Sequence, residues 1–398
     1  MLIGDVHTIS NGPAIDMAET FHQFGTGQVA DQLTGKVVDH DLVGTIAHNE
    51  TAIFRQRTVG APARDYVPIL RFSIQIRSVA SKLFGISKWA SDKEAAQAIK
   101  YRELQQSYVN EMLRDLKDRI ASGDETPSIL GNILRQGQLS DEDVLLISYT
   151  GIAAGINLGY SLTWLVGYLA NRPDLQQKGF DAIRNVYGGE PPSAHDYDRV
   201  EYVKALHMEG SRMFTPVRLG FPRQTLHGAH YMGHDIPENT LVIMNLFAGN
   251  RDPTAFDHPN EFLPERWLDG HKGRTDLLIQ GGEKLGVPNL TYGAGRRVCP
   301  GIDMANRGLY STLALLLHFF TWERQPLREE EKKLVFPPFR AKRECSLDMD
   351  ALADTATPTE AQAIPWSAGI KFHCRDSVAL RAWLESSEHR GGRYPRVG

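Results

Sequence analysis

Between Val144 and Asn171 the chain carries no charged side chain. A helix over this stretch is long enough to cross a bilayer. It also carries Gly151, Gly155 and Gly159 at four-residue spacing, as on helix-packing faces in membranes. Against a membrane span, Ser148, Thr150, Asn157, Ser161 and Thr163 interrupt the apolar run, and the stretch sits mid-chain among amphipathic helices. The reading that accommodates both is a long helix buried on all sides in a large domain. A chain of 398 residues, 41% apolar and 23% charged, can bury such a core, as one big domain or two ordinary ones.

A net charge of −4 argues against a nucleic-acid or polybasic membrane partner, a local basic patch aside. Cys299, Cys345 and Cys374 are odd in number and far apart, with no Cys-x-x-Cys pair. A disulfide framework or a zinc site is therefore not expected, and a reducing compartment fits. The opening "MLIGDVHTISNGP" lacks a basic region followed by a long apolar run, so it does not read as a signal peptide or anchor.

The pattern predicts a mainly α chain with a small β portion. Residues 90–122 form the clearest amphipathic helix, with Tyr108, Met112, Leu113 and Leu116 on one face. Shorter helices are expected at about 13–33 and 38–57, the buried helix at about 141–171, then one opened by Pro173 and closed by glycines. A further helix falls at about 199–214 and a last long one at about 302–320. "RQTLHGAHYMGHDIPENTLVIMNLF" alternates like a β-hairpin, residues 252–290 are irregular, and "AGIKFHC" reads as a strand. The end from 386 to 398 reads as a disordered tail after a single domain over 1–385.

"NLTYGAGRRVCPGIDMANRG", from Asn289 to Gly308, wraps one cysteine in glycines, two arginines and a proline. A helix opens at about Ile302, so the Cys299 thiolate would gain from free backbone N–H groups and the helix dipole. Gly293, Gly295 and Gly301 permit turns that aim several N–H groups at one sulfur. A buried structural cysteine in a glycine-rich turn explains Cys-Pro-Gly alone, but not Arg297 or Tyr292.

"YGAGRRVCPG" resembles the haem-binding loop of the cytochrome P-450 superfamily, with Tyr292 in place of a phenylalanine. The resemblance implies haem b held by the Cys299 thiolate, with Arg297 on a haem propionate and Gly295 and Gly301 shaping the loop. A thiolate ligand pushes electron density onto iron and favours O–O cleavage. Glu209 and Arg212, at i and i+3, match the family's Glu-x-x-Arg pair, and Arg266 in "LPERWL" matches the arginine that joins them. Alone, Glu209 and Arg212 would read as a surface ion pair; the resemblance makes the three a buried structural triad under the Cys loop. Arg223 matches the position that contacts the second propionate. In the uncharged helix "AAGINLG" aligns with Ala-Gly-x-Asp/Glu-Thr. Ala154 and Gly155 then let haem and oxygen approach, whereas Asn157 replaces the acid and Leu158 the threonine that order water and relay protons. Asn157 or Ser161 with ordered water is the expected substitute.

A different metal site is suggested by His227, His230 and His234 in "HGAHYMGH". The glycines argue against a helix, and on one strand His230 and His234 would stand about 13 Å apart, too far to share an ion. His195 and His207 read as surface or satisfied core histidines.

"RDYVPILR", "FTPVRLGFPR", "MANRGLY" and "GIKFHCRDSVALRAWL" are most similar to fungal members of the phenylacetate hydroxylase type. The resemblance runs from about residue 40 to 385. It implies a cytochrome P-450 fold shortened at its N-terminus, without the anchor, the first sheet and helices, and part of the substrate roof. It implies a haem-thiolate monooxygenase acting on a small aromatic or secondary metabolite, on the cytoplasmic side, where relatives are anchored to the endoplasmic reticulum. Electrons would come from NADPH through a cytochrome P-450 reductase, with cytochrome b5 as a second donor. Substrate is expected near Pro216, Val217 and Leu219, with Ser367 and Ala368 closing the pocket. Alternatives are a haem-thiolate enzyme that uses or rearranges peroxides or couples radicals, and an inactive shortened homologue.

Overall fold

The computed structural model describes residues 14–16, 18–56, 88–193, 196–268, 289–327, 348–356, 362–366 and 368–391, with Ile3, Gly12 and Ser346. His195, Cys345, Ser367 and "RDYVPILR" lie outside these residues.

Ten helices stand in the described residues: α1 (Ala18–Thr34), α2 (His40–Gln56), α3 (Lys88–Ala121), α4 (Ile129–Gln136), α5 (Asp141–Leu169), α6 (Pro173–Tyr187), α7 (Glu201–Phe214), α8 (Leu246–Gly249), α9 (Ile302–Phe319) and α10 (Ser377–Gly391). Their ends follow local chemistry. Ser140 and Asp143 form a reciprocal capping box at the head of α5, where Asp141, Glu142 and Asp143 oppose the helix dipole. Pro173 opens α6, and Gly188, in the left-handed region at φ 65°, closes it. Helix α10 covers 386–391 of the segment expected to be a disordered tail, because no Gly or Pro interrupts the chain before Gly391.

Helix α5 runs through two large cores, with a smaller cluster around Ile156 and Tyr160 between them. Its C-terminal half packs with α6, α7, α9 and the sheet around Trp164, Leu206, Tyr310 and Phe320, where the Trp164 and Phe214 rings stack at 4.9 Å. Its N-terminal half packs with α1–α4 around Val29, Tyr108, Leu116 and Ile152. The expectation of burial on all sides holds only for the C-terminal half. Leu146, Thr150 and Ala154, four residues apart and hence on one face, are exposed. In the most apolar window of α5, half the residues are buried.

The glycine spacing on α5 serves α1. A Cβ on Gly155 would lie 2.8 Å from Thr26 Cα, and one on Gly159 would lie 2.7 Å from His22 Cα. The two backbones touch, as at small-residue helix crossings in membranes, here inside a protein core.

The β portion is small. Strands β1 (Ile15–Asp16), β6 (Phe320–Arg324) and β7 (Gly369–Cys374) form an antiparallel sheet with β7 in the middle and Trp322 opposite Phe372. The expected hairpin is two nested pairs: β2 (Arg223–Gln224) with β5 (Leu241–Val242), and β3 (Ala229–Tyr231) with β4 (His234–Ile236). Met232 and Gly233, both at positive φ, make the two-residue turn of the inner pair. His230 and His234 therefore sit on two strands, not one, and His230 Nδ1 faces Asp235 at 2.8 Å.

Candidate functional site

The polar centre of the molecule is the Glu209 carboxylate on α7, fully buried together with Arg212. One oxygen accepts from Arg212 Nη2 at 2.7 Å, the Leu263 backbone N–H at 2.8 Å and Arg266 Nε at 3.1 Å. The other accepts from Arg212 Nε at 2.9 Å and Trp267 Nε1 at 2.8 Å. Five donors on one buried carboxylate satisfy the charge that burial would otherwise penalise. Arg266 and Trp267 come from a 3₁₀ turn over Pro264–Trp267, so the triad expected from sequence assembles, and Trp267 completes it.

Asn250 links this centre to the cysteine loop. Its carbonyl accepts from Arg212 Nη1 at 2.9 Å, and its side-chain oxygen accepts the Leu290 N–H at 2.7 Å. Its amide donates to the hydroxyls of Thr215 at 2.9 Å and Thr291 at 3.1 Å. The Thr291 hydroxyl in turn donates to the Ser211 carbonyl at 2.7 Å, so the start of the loop is stitched to α7.

The loop then passes through two 3₁₀ turns, Leu290–Tyr292 and Gly295–Arg297, before α9. Gly293 and Gly295 adopt φ of 77° and 71°, where a side chain is strained. Gly301 does not need that freedom, since its φ is −91°. A Cβ there would stand 3.8 Å from the Cys299 sulfur, within ordinary contact. The Cys299 N–H donates to the Tyr292 carbonyl at 2.9 Å. Cys299 is half-buried; burial pushes its thiol up and the Gly301 backbone N–H pulls it down, with burial the larger. Because Cys299 lies three residues before Ile302, most of the free N–H groups of the helix are out of its reach. Arg297 and Arg223 are both exposed, and neither makes an ion pair among the described residues.

The expected distal residues divide. Ala154 is exposed, but Gly155 is covered by α1 and has no open face of its own. Asn157 Oδ1 accepts from Gln362 Nε2 at 2.7 Å, its Nδ2 donates to the Ala154 carbonyl at 3.3 Å, and Ser161 donates to the Asn157 carbonyl at 3.0 Å. Leu158 is buried and stands next to Gly308 of α9. Val217 and Leu219 are half-buried, and the Pro216 carbonyl accepts the Ala363 N–H at 2.7 Å. Ala368 is buried and packs 3.7 Å from where a Gly167 Cβ would stand on α5. The terminal segment reaches Asn157 through Gln362 and Pro216 through Ala363. His207 is fully buried, yet among the described residues neither ring nitrogen has a hydrogen-bond partner, so it is a core histidine without a partner there.

The chemistry of the donor set decides what Cys299 can hold. A bare ion takes four or more ligands, and no group of three His, Cys, Asp or Glu gathers among the described residues. A single half-buried thiol suits a metal that arrives already chelated by a macrocycle and takes one thiolate.

The cytochrome P-450 family model matches residues 71–342. The chain belongs to the cytochrome P-450 family. Among its relatives, the 3-hydroxyphenylacetate 6-hydroxylase of Emericella nidulans is 29% identical over 347 residues, 86% of this chain and 58% of the relative. The phenylacetate 2-hydroxylase of the same organism is 29% identical over 360 residues, 89% of this chain and 61% of the relative. The cytochrome P-450 monooxygenase CYP3 of Mycosarcoma maydis is 27% identical over 288 residues, 71% of this chain and 50% of the relative. The chain thus spans between half and about three fifths of the curated relatives it matches. Family membership implies haem with a cysteine thiolate, and the lone thiol of Cys299 fits that group.

Asn250, Trp267, Asn306 and Gln362 were not among the residues singled out from sequence. Trp267 directly follows Arg266 and had a local signal in "PERW"; the other three are single amides with none.

Proposed function

We propose that the chain is the catalytic core of a haem-thiolate monooxygenase that inserts one oxygen atom of O2 into a small aromatic or secondary-metabolite substrate. The observation that carries this reading is Cys299: one half-exposed thiol, without fellow ligands, on a loop tied through Asn250 to a buried five-donor carboxylate. When bound, the haem supplies oxygen activation, and the axial thiolate favours O–O cleavage.

The chain's own residues hold and orient. Cys299 would hold the haem iron through its thiolate, the exposed guanidiniums of Arg297 and Arg223 would pair with its propionates, and the Glu209 network keeps the loop in place. Ala154, small and exposed, would leave room for oxygen and substrate beside the haem. The Asn157–Gln362 amide pair occupies the place of the family's acid and orders water there rather than giving up a proton itself. Pro216, Val217 and Leu219 border the substrate. The relatives whose names specify phenylacetate and hydroxyphenylacetate support a small aromatic substrate. Electrons come from NADPH through a membrane-bound reductase, with cytochrome b5 as a second donor, on the cytoplasmic side of the endoplasmic reticulum.

A second reading, turnover of peroxides without a reductase, is favoured by one observation. Leu158 is buried and both ends of the Asn157 amide are engaged, so neither position presents a hydroxyl or carboxyl group. The test is to supply haem, reductase and NADPH to the full chain with hydroxyphenylacetate. Product formed in proportion to NADPH supports the monooxygenase; turnover on peroxide alone, with none on NADPH, replaces it with the second reading.

A further inference from the structure

Tyr292 stands where the family pattern has a phenylalanine, and its hydroxyl is tied to α9: it donates to Asn306 Oδ1 at 2.7 Å. Asn306 is buried, so without the phenol its amide oxygen would face the interior unmatched. The carbonyl of the same Tyr292 takes the Cys299 N–H at 2.9 Å. One residue therefore holds the cysteine by its backbone and α9 by its side chain.

We propose that Tyr292 is a positioning residue for the Cys299 sulfur, its hydroxyl clamped to Asn306 so that the loop keeps one register on α9. A phenylalanine would fill the ring's volume but leave the clamp open. The loop would then be anchored mainly at its start, through Asn250 and Thr291, and the sulfur would sample more orientations. The clamp acts through the loop and does not touch the reacting atoms. Its consequence for the haem-bound enzyme rests on the haem-thiolate reading; the clamp itself does not.

The test compares Tyr292→Phe, Asn306→Leu and the double variant in the full chain, with circular dichroism confirming that each folds. In haem-free protein, the alkylation rate of Cys299 by iodoacetamide is followed by peptide mass spectrometry at one pH, with Cys345 and Cys374 as internal references. Tyr292→Phe is expected to speed alkylation of Cys299 on the order of tenfold, the scale of leaving buried polar partners unmade. The double variant is expected to alkylate no faster than the faster single variant, because both changes break the same Tyr292–Asn306 bond. In haem-loaded protein, the same Tyr292→Phe variant is expected to lose the thiolate-type band of the carbon-monoxide complex faster than the parent. Alkylation and band decay in Tyr292→Phe within twofold of the parent would overturn the proposal, as would strictly additive single-variant effects on the alkylation rate. If no variant and no parent binds haem, the monooxygenase reading fails while the alkylation arm still decides the clamp.

Discussion

Replacing Glu209 by Gln changes one atom type at the centre of the fold. The carboxylate accepts three N–H groups on one oxygen and two on the other. Whichever oxygen becomes an NH2, at least two donors then point at a donor. Arg212, with no exposed surface, and Arg266, with a side chain 8% exposed, also lose their counter-charge. Removing one partner of a buried ion pair costs about 3–5 kcal/mol. Against a typical stability of about 5–15 kcal/mol, Glu209→Gln should lower the urea midpoint severely or leave much of the protein insoluble. Trp267→Phe grades the effect: it removes one N–H from an oxygen that keeps the Arg212 bond, for about 1.5–3 kcal/mol. Urea unfolding followed by circular dichroism measures both. A Glu209→Gln protein with the parent midpoint and slope, or one more stable than Trp267→Phe, would refute the view that this carboxylate organises the core.

Two further outcomes follow from packing and protonation. Gly159→Ala drives a Cβ to 2.7 Å from His22 Cα, a backbone atom, whereas Gly151→Ala meets only the flexible Leu33 methyls at 3.0 Å. Thermal melts should therefore place Gly159→Ala below Gly151→Ala by about 1–3 kcal/mol of overpacking, and the reverse order would contradict backbone contact between α1 and α5. Burial lowers the His207 pKa from 6.5 to about 3. Between those values the unfolded chain binds a proton that the folded chain refuses, so stability falls as pH falls, by up to about 1.4 kcal/mol per unit. His207→Phe removes this contribution, so its urea midpoint should change less between pH 7 and pH 5.5 than the parent's, with equal pH slopes as the contrary result.

The sequence announced what is local. An uncharged run marks α5, an apolar stripe marks α3, and the Gly-rich surroundings of Cys299 mark the loop. Glu209, Arg212 and Arg266 were legible because their spacing matches a family pattern. Small residues on α5 signalled a close approach but not by what: Gly155 and Gly159 meet α1, and only Ala154 stays exposed. Asn250 and Asn306 went unnoticed because a single buried amide looks, in sequence, like any surface asparagine. The register of the terminal segment on α5 was not legible, because it depends on long-range contacts, the Gln362–Asn157 bond among them, that no local pattern encodes.

The account's central claim is that Cys299 is the axial thiolate of a haem. The most direct measurement is the absorption spectrum of folded, haem-supplied protein after reduction and exposure to carbon monoxide. A thiolate-type Soret band in the parent, abolished by Cys299→Ala, is the predicted result. Its absence from well-folded parent protein, or its survival in Cys299→Ala, would contradict the claim.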